Sequence, residues 1–109
     1  MTEGCLFCKL FLEGDHVAST SGFVAIRDIN PQAETHLLVL PERHLASFHE
    51  VSAFPPDEAK RMLDFVAEVA AEHRLTDYRV VVNAGAGAGQ TIFHLHWHVL
   101  SGGLTGRMA

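Results

Sequence analysis

The sequence is poor in cationic side chains and has no long apolar run, and each shortage excludes a class of protein. Eight lysines and arginines stand against thirteen acidic residues, which gives a formal net charge of -5 at pH 7. Proteins that bind nucleic acid carry basic surfaces, so this balance argues against such a partner. No stretch approaches the roughly 18 apolar residues of a spanning helix, because Asp28, Pro31, Glu68 and His94 interrupt the longest candidates. We therefore expect neither a nucleic-acid partner nor a membrane span.

Cysteine is scarce too. Cys5 and Cys8 are the only two cysteines, and their spacing in a reducing compartment is more typical of metal or redox work than of a structural disulfide. A pair of buried thiols beside unrelated residues is the alternative interpretation. The first five residues lack the basic charge and apolar core of a signal peptide, which indicates a cytoplasmic location.

The overall size and composition predict one folded domain over residues 1–109. The chain is 48% apolar and 19% charged, enough apolar material for a single core and too little charge for a disordered chain. The unusual count is histidine, with eight residues. Three of them, His94, His96 and His98, fall within five positions, so function is sought there first.

Apolar periodicity predicts four strands. Residues 23–26 and 36–40 are β-rich and are separated by an Asn-Pro turn, which indicates a hairpin. Residues 78–82 form a third apolar run, and residues 94–100 alternate in the pattern of a half-buried strand. Residues 6–12 are compatible with a short helix or a strand.

One long helix is predicted between Pro55-Pro56 and His73-Arg74. The prolines suit a helix start, and Arg74 suits the negative end of the helix dipole. Its apolar positions step by three and four, as on one helix face, and are Met62, Phe65, Val66, Val69 and Ala70. We expect this face to be core, with Trp97 buried against it. Four strands and one helix indicate an α+β domain with a mostly antiparallel sheet.

The histidine cluster is open to three interpretations on its own. In a strand, His94, His96 and His98 share one face, where they could ligate a metal together, act as nucleophile and proton donors, or form a polar row. A glycine-rich segment, residues 83–90, precedes the cluster. Backbone amides of such a loop can cradle phosphate oxygens, so the combination favours a phosphate ligand.

Residues 89–100, GQTIFHLHWHVL, resemble the motif of the histidine-triad (HIT) superfamily, His-x-His-x-His followed by apolar residues. The resemblance extends to Asn83 and to residues 5–9, 23–32 and 36–41, so it covers most of the chain in the right order. It is closest to the small Hint-type branch. It implies a HIT-like fold with about five strands, one long helix and a short N-terminal helical segment.

The resemblance implies a nucleotide hydrolase or transferase that acts at the α-phosphate of nucleoside 5′-phosphoramidates or related monophosphate derivatives. His96 would be the nucleophile and would form a covalent nucleotidyl-histidine intermediate. His98 would lie near the phosphate oxygens, His36 would support the site from the neighbouring strand, and Thr91 would contact the scissile region.

Further residues would bind the substrate. Asp28 would accept from the ribose hydroxyls, although an aspartate before Ile-Asn-Pro can also simply organise a turn. Phe7, Leu10, Ile26 and Ile29 would line a base pocket, with a purine favoured, and Asn83, Gly89 and Gln90 would assist at the phosphate. The identity of the base and of the leaving group stays open.

The resemblance also implies a structural zinc ion on Cys5, Cys8, His44 and His94, no organic cofactor, and a homodimer paired through the long helix and the strand at Tyr78. One alternative is a nucleotide-binding or regulatory module with little turnover. Another, ranked lower, is a catalytic zinc on all three clustered histidines. We assign no function to His16, His49 and His73.

Overall fold

Two α-helices, five strands and two short 3₁₀ helices make up the part of the chain that the structure, a computed structural model, describes, which is residues 4–104. In chain order they are α1 (Leu6–Glu13), β1 (Ala18–Thr20), β2 (Phe23–Arg27), β3 (Thr35–Pro41), a 3₁₀ helix (Phe48–Ala53), α2 (Pro56–Glu72), β4 (Arg79–Val81), a second 3₁₀ helix (Ala86–Ala88) and β5 (Trp97–Ser101).

The strands form one antiparallel sheet in the order β1-β2-β3-β5-β4. β2 and β3 are a hairpin in which Ala25 pairs with Val39. β5 lies between β3 and β4, with His98 opposite Leu38 of β3 and opposite Val81 of β4. The predicted hairpin and the predicted α+β class are confirmed.

Each face of the sheet is covered by a helix. Side chains alternate between the two faces of a strand, and both faces carry apolar residues that a helix buries. The face under α2 carries the larger core, whose buried members are Phe23, Ala25, Leu37, Val39, Phe54, Met62, Phe65, Val66, Val69, Ala70, Leu95, Trp97 and Val99. This confirms the predicted apolar face of the long helix and the burial of Trp97. On the opposite face, Phe7 of α1 packs against Val24, Ile26, Leu38 and Leu40.

Local sequence sets the helix ends. The Cys5 side chain caps α1 by accepting from the Cys8 amide. Gly14 ends this helix with its N–H on the Leu10 carbonyl, where a Cβ would lie only 2.6 Å from that oxygen. α2 begins at Pro56, whose missing N–H has no partner to lose at a helix start.

The last predicted strand is corrected. The alternation predicts a strand over residues 94–100, but β5 covers only the second half of that range. Residues 94–96 leave the ladder although β3 continues to Pro41, and the Leu95 amide donates instead to the Leu45 carbonyl at 2.7 Å. The ring Nε2 of His94 bonds to the Pro41 carbonyl, at 2.8 Å.

Three other segments differ from or complete the predictions. Residues 6–12, left open between helix and strand, are helical. The strand predicted over residues 78–82 is shorter at both ends. β1 is an edge strand of three residues, two of them exposed, so no apolar alternation indicated it. Among residues 4–104, no helix has the length and apolar character required to cross a membrane.

Candidate active site and metal centre

The middle histidine of the cluster, His96, is buried with its ring orientation fixed. Its Nδ1 lies 2.8 Å from the carbonyl oxygen of His94, and because a carbonyl only accepts, Nδ1 carries the proton and Nε2 the lone pair. Burial lowers the pKa of His96, against the opposing effects of this hydrogen bond and of the Asp28 charge. The lowered pKa keeps the ring neutral near pH 7, the state in which imidazole is a nucleophile.

Phe7 holds the triad from the side of α1. Its ring meets His96 edge to face with centroids 4.9 Å apart, and meets His94 in the same way at 6.3 Å. The helix α1, which carries Phe7, therefore also restrains the ring of His96.

His36 and His98 meet because of the register of β3 and β5. His36 lies opposite Leu100, and Leu38 lies opposite His98, so the two histidines are diagonal neighbours on the face that α1 covers. The Nε2 of His36 lies 2.9 Å from the Nδ1 of His98. Burial, followed by the charges of His96 and His36, lowers the pKa of His98 to about 4.

The second nitrogen of His98, Nε2, is buried and has no hydrogen-bond partner within residues 4–104. Buried polar atoms of folded proteins almost always have a partner, so an unpartnered nitrogen beside a cleft marks a position where a ligand atom can bond. His98 lines the same cleft as His96.

Asp28 has one of the two roles considered for it, the organisation of a turn, and it also lines the cleft. Its Oδ1 accepts from the Asn30 amide at 2.8 Å and so organises the turn between β2 and β3. Its Oδ2 lies 3.4 Å from the Nε2 of His36. The turn thus directs one carboxylate oxygen at His36, and Asp28 lies on the wall of the cleft.

The cleft has a volume of about 240 Å³ and lies between α1 and the sheet. Its lining residues are Leu6, Phe7, Leu10, Ile26, Arg27, Asp28, Ile29, Asn30, Leu38, Thr91, Ile92, His96 and His98. Eight predicted site residues are thereby brought together, with Ile29 at the rim, where it is 92% exposed. His36 lies behind His98 and reaches the cleft only through it.

Besides His36, three predicted substrate-binding residues are not part of this lining. Gly89 adopts φ 99°, and Asn83 lies half-buried two residues after the end of β4. Gln90 is buried and its amide bonds three backbone groups: the Gly85 N–H, the Ala46 carbonyl and the Ile92 carbonyl. Its side chain therefore braces the glycine loop against the segments around Ala46 and Ile92.

Sequence reasoning missed several lining residues, and two of them had a usable signal. Leu6 lies one helical turn from Leu10, which was predicted, so it shares the same helix face. Leu38 alternates with His36 along β3 and shares its face of the sheet. Arg27, Asn30 and Ile92 lie in or beside turns, where no periodicity indicates the direction of a side chain.

A second cluster brings together the four predicted metal ligands. The ligand atoms of Cys5, Cys8, His44 and His94 all lie within 4.8 Å of one another. The Nδ1 atoms of the two histidines are 3.1 Å apart, and each lies 3.3–3.5 Å from the Sγ of Cys8. Bonds of about 2.1 Å to nitrogen and 2.3 Å to sulfur give tetrahedral edges of about 3.4–3.8 Å, close to the separations observed, so the spacing suits zinc.

The hydrogen bonds of His94 suit a metal as well. Its Nε2 donates to the Pro41 carbonyl, so the lone pair of the neutral ring is at Nδ1, which faces the two cysteines. Burial lowers the pKa of His94 and favours this neutral form. The ring is therefore turned away from His96 and His98 and does not share one ion with them, which removes the three-histidine zinc site.

Comparison with known proteins agrees with this geometry. The family model described as the HIT domain matches residues 12–103. The chain belongs to the histidine-triad family. A HIT-like protein of Chlamydia pneumoniae is 39% identical over 98% of this chain and 93% of its own length. The purine nucleoside phosphoramidase of Escherichia coli is 32% identical, covering 99% of this chain and 95% of the enzyme.

Solved structures of the HIT family share the fold. A HIT family hydrolase from Clostridium thermocellum superposes with a TM-score of 0.89 and 31% identity, covering 100% of both chains. A zinc-bound histidine triad protein from Mycobacterium smegmatis has a TM-score of 0.77 and 26% identity, covering 91% of this chain and 75% of that protein. In this chain the three histidines of the triad are divided between two sites: His94 lies beside the cysteines, and His96 and His98 line the cleft.

Proposed function

We propose that this HIT protein is a hydrolase that cleaves nucleoside 5′-phosphoramidates, or related nucleoside monophosphate derivatives, at the α-phosphate through a nucleotidyl-His96 intermediate. The observation that carries the proposal is the bond from His96 Nδ1 to the His94 carbonyl, which leaves the Nε2 lone pair available to the cleft. The 32% identity to a purine nucleoside phosphoramidase supports the reaction class and favours a purine base.

The reaction takes two displacements at phosphorus. The Nε2 of His96 bonds to the α-phosphorus as the bond from phosphorus to the leaving nitrogen breaks, and the amine departs with that electron pair and takes up a proton from solvent. The positive charge that His96 acquires is stabilised by its bond to the His94 carbonyl. Water then displaces the histidine and releases the nucleoside monophosphate.

The remaining cleft residues bind and orient the substrate. His98 donates to a phosphoryl oxygen, with Thr91 on the lining of the same cleft. The apolar side chains of Phe7, Leu10 and Ile26, with Ile29 at the rim, hold the base.

The carboxylate of Asp28 accepts from a ribose hydroxyl. Because Oδ1 already serves the turn, Oδ2 is the atom we assign to the ribose. An Asp28→Asn variant keeps the shape of the turn, and we expect it to raise KM for ribonucleotides more than for 2′-deoxyribonucleotides. Equal effects on both would remove the assignment.

We also propose that zinc fills the cluster of Cys5, Cys8, His44 and His94. When bound, the ion supplies a structural cross-link between the start of α1 and the segments around His44 and His94. Such a link holds Phe7 against the nucleophile. A cytoplasmic location fits this role, because reducing conditions keep both cysteines available as thiolates.

A homodimer is proposed through the outer edge of β4 and α2. β4 is an edge strand in which Val80 is 41% exposed; Tyr78, just before it, is 40% exposed, and Leu63 of α2 is 54% exposed. Exposed apolar edges tend to pair with another strand. Light scattering should give twice the mass of the chain, and Val80→Lys should yield monomers if the edge pairs as proposed.

The test of the reaction uses adenosine 5′-phosphoramidate. We expect release of AMP and, in acid-free mass spectrometry of a rapidly quenched reaction, a protein adduct with the mass of one adenylyl group. The competing assignment is a nucleotide-binding module with little turnover. Tight binding of AMP with no release of product from any phosphoramidate would establish that module instead.

A further inference from the structure

Gln32 lies in the turn between β2 and β3, outside the lining of the cleft, yet its backbone contacts His36, which in turn contacts His98. Its amide N–H donates to the Nδ1 of His36 at 3.0 Å. A nitrogen that accepts a hydrogen bond holds its lone pair there, so neutral His36 carries its proton at Nε2.

That proton fixes the next ring. The Nε2 of His36 lies 2.9 Å from the Nδ1 of His98, while the carboxylate of Asp28 is farther away, at 3.4 Å. With Nδ1 of His98 accepting from His36, neutral His98 carries its own proton at Nε2. This is the buried nitrogen that has no partner within the described residues and that belongs to a residue lining the cleft.

We propose that the Gln32 amide is a tautomer latch for the active site: it sets His36 as the Nε2–H form, His36 sets His98 as the Nε2–H form, and His98 thereby presents a donor to the substrate phosphate. The inference rests on the proposed function for the identity of the ligand. Gln32 is a positioning residue, because it acts through two histidines and does not line the cleft.

The turn is constructed to aim this amide. Asp28 accepts from the Asn30 N–H at 2.8 Å, and the Gln32 side chain donates back to the Asn30 carbonyl at 3.0 Å. Pro31 has no N–H and cannot compete for the ring of His36. The Asp28 amide donates to the His36 carbonyl at 3.0 Å, which anchors the base of the turn to β3.

The same three side chains, Asp28, His36 and His98, lie close enough to hold a metal ion. A metal on the Nε2 of His36 would require that nitrogen to be unprotonated. Since Nδ1 already accepts from Gln32, the neutral ring would then have no nitrogen left for its proton. The Gln32 amide therefore favours a shared proton over a shared ion at this cluster.

The tautomers can be measured directly in the wild-type chain without substrate. Long-range proton–nitrogen NMR spectra at pH 7 distinguish protonated from unprotonated ring nitrogens. We expect Nδ1 of His36 and Nδ1 of His98 to be unprotonated, with both Nε2 atoms protonated, and His96 to show the opposite pattern. A spectrum with His36 or His98 protonated at Nδ1 would overturn the proposal.

Two substitutions at one position test the consequence. Gln32→Pro removes the amide hydrogen, whereas Gln32→Ala keeps it and removes the side-chain bond to Asn30. We expect kcat for adenosine 5′-phosphoramidate to fall about tenfold further in Q32P than in Q32A, with a smaller change in KM. This factor corresponds to the loss of one hydrogen bond to a charged group, the bond from His98 to the substrate phosphate. In Q32P the NMR pattern of His98 should become a mixture of tautomers.

Equal kcat values and wild-type tautomers in both variants would contradict the latch. If Q32P does not fold, the wild-type spectrum still decides, because the proposal requires one tautomer at each ring. The spectrum also separates this proposal from the proposed function. A chain that shows the expected tautomers but releases no AMP retains the latch and loses the phosphoramidase assignment.

Discussion

The Nδ1 of His96 donates to the backbone carbonyl of His94 at 2.8 Å, and the imidazole of the same His94 belongs to the cluster of cysteines and histidines. One residue thus contacts the proposed metal with its ring and the proposed nucleophile with its backbone. The sequence permits this arrangement because the proposed metal ligand, His94, and the proposed nucleophile, His96, are only two residues apart. The stability of the metal centre and the orientation of the nucleophile are consequently linked.

Replacement of His96 by glycine should abolish turnover while leaving nucleotide binding measurable. The nucleophile cannot be replaced by water in the same position, so we expect kcat to fall by at least about three orders of magnitude. AMP binding measured by calorimetry should persist, since Phe7, Leu10 and Asp28 are unchanged. His73→Ala is the control, because this residue bonds to the Val69 carbonyl at the end of α2. Retention of the adenylyl adduct in the glycine variant would contradict the assignment.

Removal of metal should destabilise the fold. An ion bound at about a hundred times its Kd adds about 2.7 kcal/mol, so chelation should lower Tm by roughly 10 °C in a domain of this size. Calorimetry with and without chelator measures the shift, and added zinc should restore it. A Cys5→Ser, Cys8→Ser double variant is the matched control and should not respond to the chelator. An unchanged Tm in the wild-type chain would exclude a structural metal.

Stability should fall as the pH is lowered from about 6.5 to about 4. The pKa of His98 is about 4 in the folded chain and about 6.5 when unfolded, so in this window the unfolded chain binds more protons. Its contribution is complete above pH 6.5 and is lost as the pH falls towards 4, by about 2 kcal/mol once partial solvent exposure is allowed for.

Urea titrations at several pH values test this contribution, with chelator present throughout so that metal loss does not enter. His98→Gln is the control, because it fills similar space without titrating. As the pH falls, the free energy of unfolding of the wild type should decrease more than that of this variant. Parallel curves for the two proteins would show that His98 titrates normally.

Core packing under α2 should dominate the stability of the helix. Met62 is 1% exposed and Leu63, its neighbour in sequence, is 54% exposed. Met62→Ala removes buried methylenes and leaves a cavity, so we expect a loss of about 3 kcal/mol. Leu63→Ala should cost less than about 0.5 kcal/mol in the monomer.

Urea unfolding measures both variants. A loss at Leu63 that grows with protein concentration would report a subunit contact and would support the proposed dimer. A loss as large as that of Met62 and independent of concentration would contradict the assigned packing of the helix.

Elements with a repeating apolar pattern could be predicted from sequence, and short or irregular ones could not. The long helix was predicted with all five of its core positions, since the spacing of three and four recurs over more than two turns. β1 escaped because three residues with two exposed side chains carry no period. The departure of residues 94–96 from the ladder depends on contacts with the Pro41 and Leu45 carbonyls, which lie far earlier in the chain.

The sequence by itself determined the chemistry available: three histidines at alternating positions, a cysteine pair three residues apart and a glycine-rich loop before them. The alternation of side chains indicated which neighbours share a strand face with His36 and which share one with His98, because the strand period is two. Only the tertiary structure decided how these groups divide. The strand register made His36 and His98 diagonal neighbours, and the Pro41 carbonyl turned the ring of His94 towards the cysteines.

The same holds for protons and for the glycine loop. Nothing in the local pattern indicates that the Gln32 amide meets a ring nitrogen of His36, or that Gln90 is buried as a brace rather than directed at a ligand. Hydrogen-bond partners fix which nitrogen of each imidazole carries the proton, and whether they are near in sequence, as for His36 and His96, or distant, as for His94 and His98, they come into place only once the chain is folded.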